Sequence, residues 1–142
     1  MTTPLQKTLY TAKARVTGGR DGHARTDDGL LEVDLRVPQS MGGPGGGTNP
    51  EQLFAAGYAA CFQGALGVVA RAEKIDVSDS VINSSVDIGP VESGGFGLAV
   101  TLEVSIPSTD TETAQRLVEA AHKVCPYSNA TRGNIDVTLS VV

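Results

Sequence analysis

From Thr48 the chain reads Thr48-Asn49-Pro50-Glu51-Gln52-Leu53-Phe54-Ala55-Ala56-Gly57-Tyr58-Ala59-Ala60-Cys61-Phe62 and stays apolar to Ala70, with no charged side chain between Glu51 and Arg71. A capping residue followed by proline starts a helix, and the pattern predicts one from about 50 to 73. A helix that is apolar nearly all round belongs in a buried place. Small residues recur along it in rows, at Ala56, Ala60 and Gly64 and again at Gly57, Cys61 and Ala65. Such rows let another helix approach closely. A chain this short has few elements with which to surround the helix. A homodimer, in which it packs against its own copy or the partner's sheet, solves that problem. Cys61 sits in its middle, a single thiol in apolar surroundings.

The 142 residues suffice for one domain with a real core, taken as 1–142. Net charge is -5 and no basic run occurs, which argues against nucleic acid, since phosphate contacts need clustered Lys and Arg. The apolar run falls short of the roughly 20 strongly apolar residues of a membrane span and is rich in Ala and Gly. The opening residues Met-Thr-Thr-Pro-Leu-Gln-Lys carry no apolar signal core, so a cytoplasmic location is expected. In such a compartment the two cysteines, Cys61 and Cys125, stay reduced unless chemistry oxidises them.

The remaining elements follow from periodicity. Tyr10, Ala12, Ala14 and Val16 alternate with polar neighbours as a strand, broken by a turn at Gly18-Gly19-Arg20-Asp21-Gly22. A short strand at 23–26, a hairpin signal at Asp27-Asp28-Gly29, and alternating Leu31, Val33, Leu35 and Val37 complete a meander. The stretch Gly42-Gly43-Pro44-Gly45-Gly46-Gly47 lacks the Lys-Ser/Thr ending of a phosphate loop and reads as a close backbone approach or a hinge. After the long helix, 82–88 is a strand, and Leu98, Val100, Leu102, Val104 and Ile106 form a second with one apolar face. Thr109-Asp110-Thr111-Glu112 has the form of a capping box and opens a second helix, which Pro126 ends. Cys125 closes that helix and enters a polar loop, Tyr127 to Gly133. Ile135, Val137, Leu139 and Val141 make a closing strand. The expected class is α+β: antiparallel sheet with a long buried central helix and a second helix on one side.

Two cysteines with lone His23 and His122 match no compact metal-ligand spacing, and no cofactor motif is present. His122 falls in the last turn of a helix, where a cation suits the dipole, and His23 in an exposed turn. A buried Cys61 has a raised pKa unless a cation offsets desolvation, and only the thiolate is a nucleophile.

The segment from Thr48 to Phe62, together with Val124-Cys125-Pro126-Tyr127-Ser128-Asn129-Ala130-Thr131-Arg132-Gly133-Asn134, resembles the two signature segments of the organic hydroperoxide resistance proteins, Ohr, of the OsmC superfamily. Gly19-Arg20-Asp21-Gly22 resembles that family's arginine loop. The similarity spans nearly the whole chain. It implies an OsmC-like fold in an interwoven homodimer and a Cys-based peroxidase acting on organic (alkyl or lipid) hydroperoxides. Carried over, Cys61 is the peroxidatic cysteine, Cys125 the resolving one, and Arg20 and Glu51 activate Cys61. The cycle so implied runs through a Cys61 sulfenate and a Cys61–Cys125 disulfide, with no bound cofactor. A dihydrolipoyl dithiol, free or on a lipoylated protein, is the implied reductant.

Arg20 is chemically suited to the part, because its fork faces a carboxylate and a thiolate together. Leu53, Phe54 and Phe62 offer apolar surface for an alkyl substrate. Glu51 and Cys61 lie about 15 Å apart along one helix, so an arginine held by Glu51 is expected to reach Cys61 from the partner subunit. Three rivals stand beside this reading: an OsmC-type peroxidase of other substrate preference, a redox sensor or ligand-binding dimer whose disulfide changes a partner interaction, and a structural domain with two inert thiols.

Overall fold

A computed structural model describes residues 2–142. The chain forms two compact units, one ending at Leu53 and the other running Phe54–Val142. The element order is β1 (Ala14–Thr17), β2 (His23–Thr26), β3 (Glu32–Asp34), α1 (Pro50–Ala72), β4 (Val81–Pro90), β5 (Phe96–Ser105), α2 (Thr111–Val124), α3 (Pro126–Thr131) and β6 (Val137–Val141), with single 3-10 turns at Gly19–Asp21 and Gln39–Met41.

In the first unit β1, β2 and β3 form an antiparallel sheet in that order. β1 is shorter than its alternation predicts. Its register with β2 starts at Ala14 opposite Thr26, and Leu9 and Tyr10 lie exposed because no strand of this chain pairs with them among the described residues. The β1–β2 turn is glycine-dependent. Gly18 has φ +74, and a Cβ on Gly22 would fall 1.6 Å from the Thr17 carbonyl oxygen. That turn carries Arg20. In the glycine-rich stretch, the Gly43 and Gly45 amides donate to the carbonyls of Pro38 and Val37, folding the loop back on itself. The unit ends with the start of α1. Asn49 is buried and its side-chain oxygen accepts the Gln52 N–H at 2.8 Å, the N-cap expected before Pro50.

The second unit is a three-stranded sheet in the order β4-β5-β6 carrying helices. β4 and β5, ten residues each, form an antiparallel hairpin. β6 pairs with β5 in parallel, Val100 opposite Val137 through Val104 opposite Val141, so the sheet is mixed where an antiparallel one is expected. The crossover explains it: α2 lies between β5 and β6 in the chain, and a helical crossover returns a strand in its original direction. The core is built from three stripes. Tyr58, Phe62, Leu66 and Ala70 come from α1 at intervals of four; Val100, Leu102 and Val104 come from β5 at intervals of two; and Ala114, Leu117, Val118 and Ala121 come from α2. Within one chain α1 is therefore buried on one face. Ala56, Ala60, Gly64 and Val68 lie on the exposed face.

Two helix boundaries differ from expectation. The N-cap of α2 is Asp110, whose carboxylate accepts the Thr113 N–H at 2.8 Å, rather than Thr109 acting in a capping box. The segment after Cys125 is a short helix, not a loop. Pro126 ends α2 and, at the first helical position, also starts α3, which suits its fixed φ and missing N–H.

Candidate active site

Cys125 occupies the corner between α2 and α3 with an extended backbone, φ -65 and ψ 125. Its own N–H donates to the Ala121 carbonyl and its carbonyl accepts from the Asn129 N–H, each at 2.9 Å. The residue is pinned from both sides and fully buried. Its Sγ lies 3.7 Å from the Sγ of Cys61, which is half-buried in the middle of α1. Both cysteines are free thiols. Two sulfurs at this separation are in contact but unbonded; a disulfide needs about 2.05 Å.

Burial pushes the Cys61 thiol up, because desolvation disfavours the thiolate. The backbone amide of Tyr127 works in the opposite direction, and the Cys125 sulfur adds to the rise. A thiol in this setting needs further positive charge to be reactive at neutral pH.

The two other expected site residues meet in the first unit. Arg20 donates to Glu51 through both arms of its fork, Nη1 to Oε2 at 2.9 Å and Nη2 to Oε1 at 2.7 Å. The Glu51 side chain is only 12% exposed, so this is a bidentate, partly desolvated pair, the strong form of the interaction. The Arg20 hydrogen bonds hold the Glu51 carboxyl below the ordinary carboxylate range, against the upward push of burial. Four expected residues thus form two pairs, Arg20 with Glu51 and Cys61 with Cys125.

His122 keeps its expected place in the last turn of α2, whereas His23 departs from the exposed turn expected for it. His23 lies in β2, not in a turn. It bridges the strand beside it, Nδ1 to Asp34 at 2.9 Å and Nε2 to Glu32 at 3.0 Å. The hydrogen bond to Asp34, then that to Glu32, raises its pKa above the usual 6.5. At that helix end the His122 ring favours its neutral form. Burial, then the charge of Arg132, lowers its pKa below 6.5, and its Nδ1 lies 2.8 Å from the Ser128 hydroxyl. The two rings therefore titrate on opposite sides of the ordinary value. In a proton NMR titration, His23 is expected to charge first as pH falls and to drop towards 6.5 in Asp34→Asn, while His122 stays neutral to lower pH. Coincident titrations contradict both local geometries.

A network missed in the sequence lies beside the thiols. The Tyr58 hydroxyl is 2.8 Å from Ser128 Oγ and 3.1 Å from Thr131 Oγ1, and all three residues are buried. A tyrosine in the middle of an apolar helix is the signal that finds it, since a buried phenol needs a partner. The Tyr58 ring also packs with Phe54 and Tyr127, centroids 5.7–6.0 Å apart. Gly57 permits this approach, because a Cβ there would stand 3.1 Å from the Tyr127 hydroxyl oxygen.

An apolar cleft of about 370 Å³ is lined by Phe54, Leu98, Tyr127, Ala130 and Ile135 together with Thr131 and Asn134. Phe54 thus borders open space as expected, whereas Phe62 is wholly inside the core and cannot face a substrate. Among the described residues no group of three His, Cys, Asp or Glu is placed to hold a metal ion.

The sequence profile of the family described as OsmC-like protein matches residues 43–140. An organic hydroperoxide resistance protein of Xanthomonas axonopodis pv. citri is 56% identical over 138 residues, covering 96% of each chain. The organic hydroperoxide resistance protein OhrB of Bacillus subtilis is 53% identical over 134 residues, covering 94% of this chain and 98% of its own. Among solved structures, an organic hydroperoxide resistance protein from Legionella pneumophila superposes with a TM-score of 0.91 at 52% identity, covering 95% of this chain and 98% of that one.

Proposed function

The chain belongs to the OsmC family, and on that footing we propose that it confers resistance to organic hydroperoxides as a thiol-dependent peroxidase. The observation that carries this reading is the 3.7 Å approach of the Cys125 sulfur to Cys61, on a chain whose relatives are organic hydroperoxide resistance proteins.

The Cys61 thiolate attacks the outer oxygen of the hydroperoxide. The S–O bond forms, the O–O bond breaks, and the alkoxide leaves as an alcohol after taking a proton. Cys61 is then a sulfenic acid. The Cys125 sulfur displaces its oxygen, which departs as water, and the Cys61–Cys125 disulfide forms. A small dithiol such as a dihydrolipoyl group reduces it by two exchange steps and leaves as its own disulfide. The cleft beside Phe54 and Tyr127 offers apolar surface to an alkyl chain, which favours organic hydroperoxides over hydrogen peroxide.

Activation of Cys61 falls to Arg20, held by Glu51. The exposed row Ala56, Ala60, Gly64 and Val68 suits close packing against a second copy of the chain, and a homodimer can bring the Arg20–Glu51 pair of one protomer to the thiols of the other. A cytoplasmic setting, where thiols are kept reduced, fits two cysteines that must cycle.

Steady-state assays decide the reading. With dihydrolipoamide, cumene hydroperoxide is expected to be consumed over many turnovers, with kcat/KM at least about tenfold above that for hydrogen peroxide. Consumption of a single equivalent without turnover identifies a sensor and overturns the enzyme. Consumption of none overturns both.

A further inference from the structure

Tyr58 lies three residues before Cys61 on α1, and its hydroxyl reaches Ser128 and Thr131 on α3. α3 begins immediately after Cys125. Ser128 Oγ also meets Nδ1 of His122, three residues before Cys125 on α2. One chain of hydrogen bonds, buried at Tyr58 and Ser128 and half-buried at His122, therefore ties the turn that carries the first sulfur to both helices that flank the second. The chain has a consistent direction. His122 favours its neutral form, and with its proton on Nε2 the Nδ1 atom accepts from Ser128, whose oxygen accepts from Tyr58. Each hydroxyl is then satisfied without water.

None of these groups is required by the peroxide chemistry itself, and apolar residues of similar shape fill a core at no hydrogen-bonding cost. What the network adds is geometry. The sulfurs stand 3.7 Å apart and must close to about 2.05 Å. If the two backbones are held, that closure is within the reach of side-chain rotation. If the Cys125 corner drifts relative to α1, the thiols spend less time in reach, and their effective concentration falls.

We propose that Tyr58, Ser128 and His122 form a positioning clamp that sets the effective concentration of the Cys125 thiol at Cys61, and so governs how readily the Cys61–Cys125 bond closes. The role of that bond in hydroperoxide turnover rests on the peroxidase reading; the clamp itself does not.

The test uses the intact protein equilibrated in dithiothreitol redox buffers without peroxide, with the Cys61–Cys125 disulfide quantified by alkylation and mass spectrometry. Tyr58→Phe keeps the ring and its packing and removes only the hydroxyl. Its disulfide equilibrium constant is expected to fall about tenfold, which for a two-electron couple is about 30 mV towards a more oxidising potential. Ser128→Ala is expected to match it, and the double variant to add little, because both substitutions break one network. Equilibrium constants within twofold of wild type in both single variants overturn the clamp. A second readout follows stopped-flow addition of cumene hydroperoxide. The ratio of the condensation rate to the sulfenate-forming rate falls about tenfold in Tyr58→Phe, and an unchanged ratio also counts against the clamp. A protein that forms the disulfide in redox buffer yet never turns over hydroperoxide retires the peroxidase reading and leaves the clamp standing.

Discussion

Cys61→Ser is expected to abolish hydroperoxide consumption, with kcat/KM falling at least about 10³-fold, because a serine hydroxyl at neutral pH is a poor substitute for a thiolate. Cys125→Ser is expected to behave differently. It consumes one equivalent of cumene hydroperoxide and stops with a sulfenic acid on Cys61, captured by dimedone and seen as a single mass adduct. Wild-type protein given one equivalent shows instead an intrachain disulfide between Cys61 and Cys125. The contrast follows from the site. Cys61 is half-buried, whereas Cys125 is wholly enclosed at its corner, so an incoming peroxide meets Cys61 first. Adduct on Cys125 in Cys61→Ser, at a rate near wild type, reverses the assignment of roles. Oxidation at neither sulfur ends the mechanism.

What could be read from the chain alone depended on whether a local pattern carried the information. The Asn49-Pro50 start of α1 is legible because cap and proline act within one turn. The apolar alternation from Leu98 to Ile106 is legible because one face of β5 is buried. The direction of β6 is not, since a period of two is the same for parallel and antiparallel strands. α3 is hidden because Pro126 both stops one helix and starts the next. The cap of α2 is displaced by one residue because Thr109 and Asp110 are both good acceptors, and Asp110 wins with a charged one. Cys61 is legible as a lone thiol in an apolar helix, whereas Cys125, Arg20 and Glu51 each have an ordinary structural role alone and gain another only through the resemblance of whole segments. The Tyr58–Ser128–His122 chain joins residues 58, 122 and 128, and no local window contains it.

Arg20→Ala is expected to slow oxidation of Cys61 about 100-fold at pH 7, and the deficit is expected to close as pH rises. The sign follows from the two opposing influences on the thiol. Burial raises the pKa of Cys61, a cation lowers it, and the nucleophile is the thiolate. Removing the cation moves the midpoint of the pH–rate curve upward, and below that midpoint each pH unit costs tenfold in thiolate. Above the variant's midpoint both proteins are fully ionised and their rates converge. A deficit constant across pH shows instead that Arg20 acts after ionisation, on the peroxide or the leaving oxygen. Glu51→Ala is expected to lose part of the same effect, because Glu51 holds both arms of the Arg20 fork and an unheld arginine samples more orientations. Arg20→Lys keeps the charge without the fork and falls between wild type and Arg20→Ala. Mixed dimers then assign the subunit. A dimer of one Cys61→Ser chain and one Glu51→Ala chain retains a complete site only when Glu51 and Cys61 come from different protomers. About half the wild-type rate is expected on that arrangement, and a rate no higher than that of Glu51→Ala places all four residues of a site in one chain.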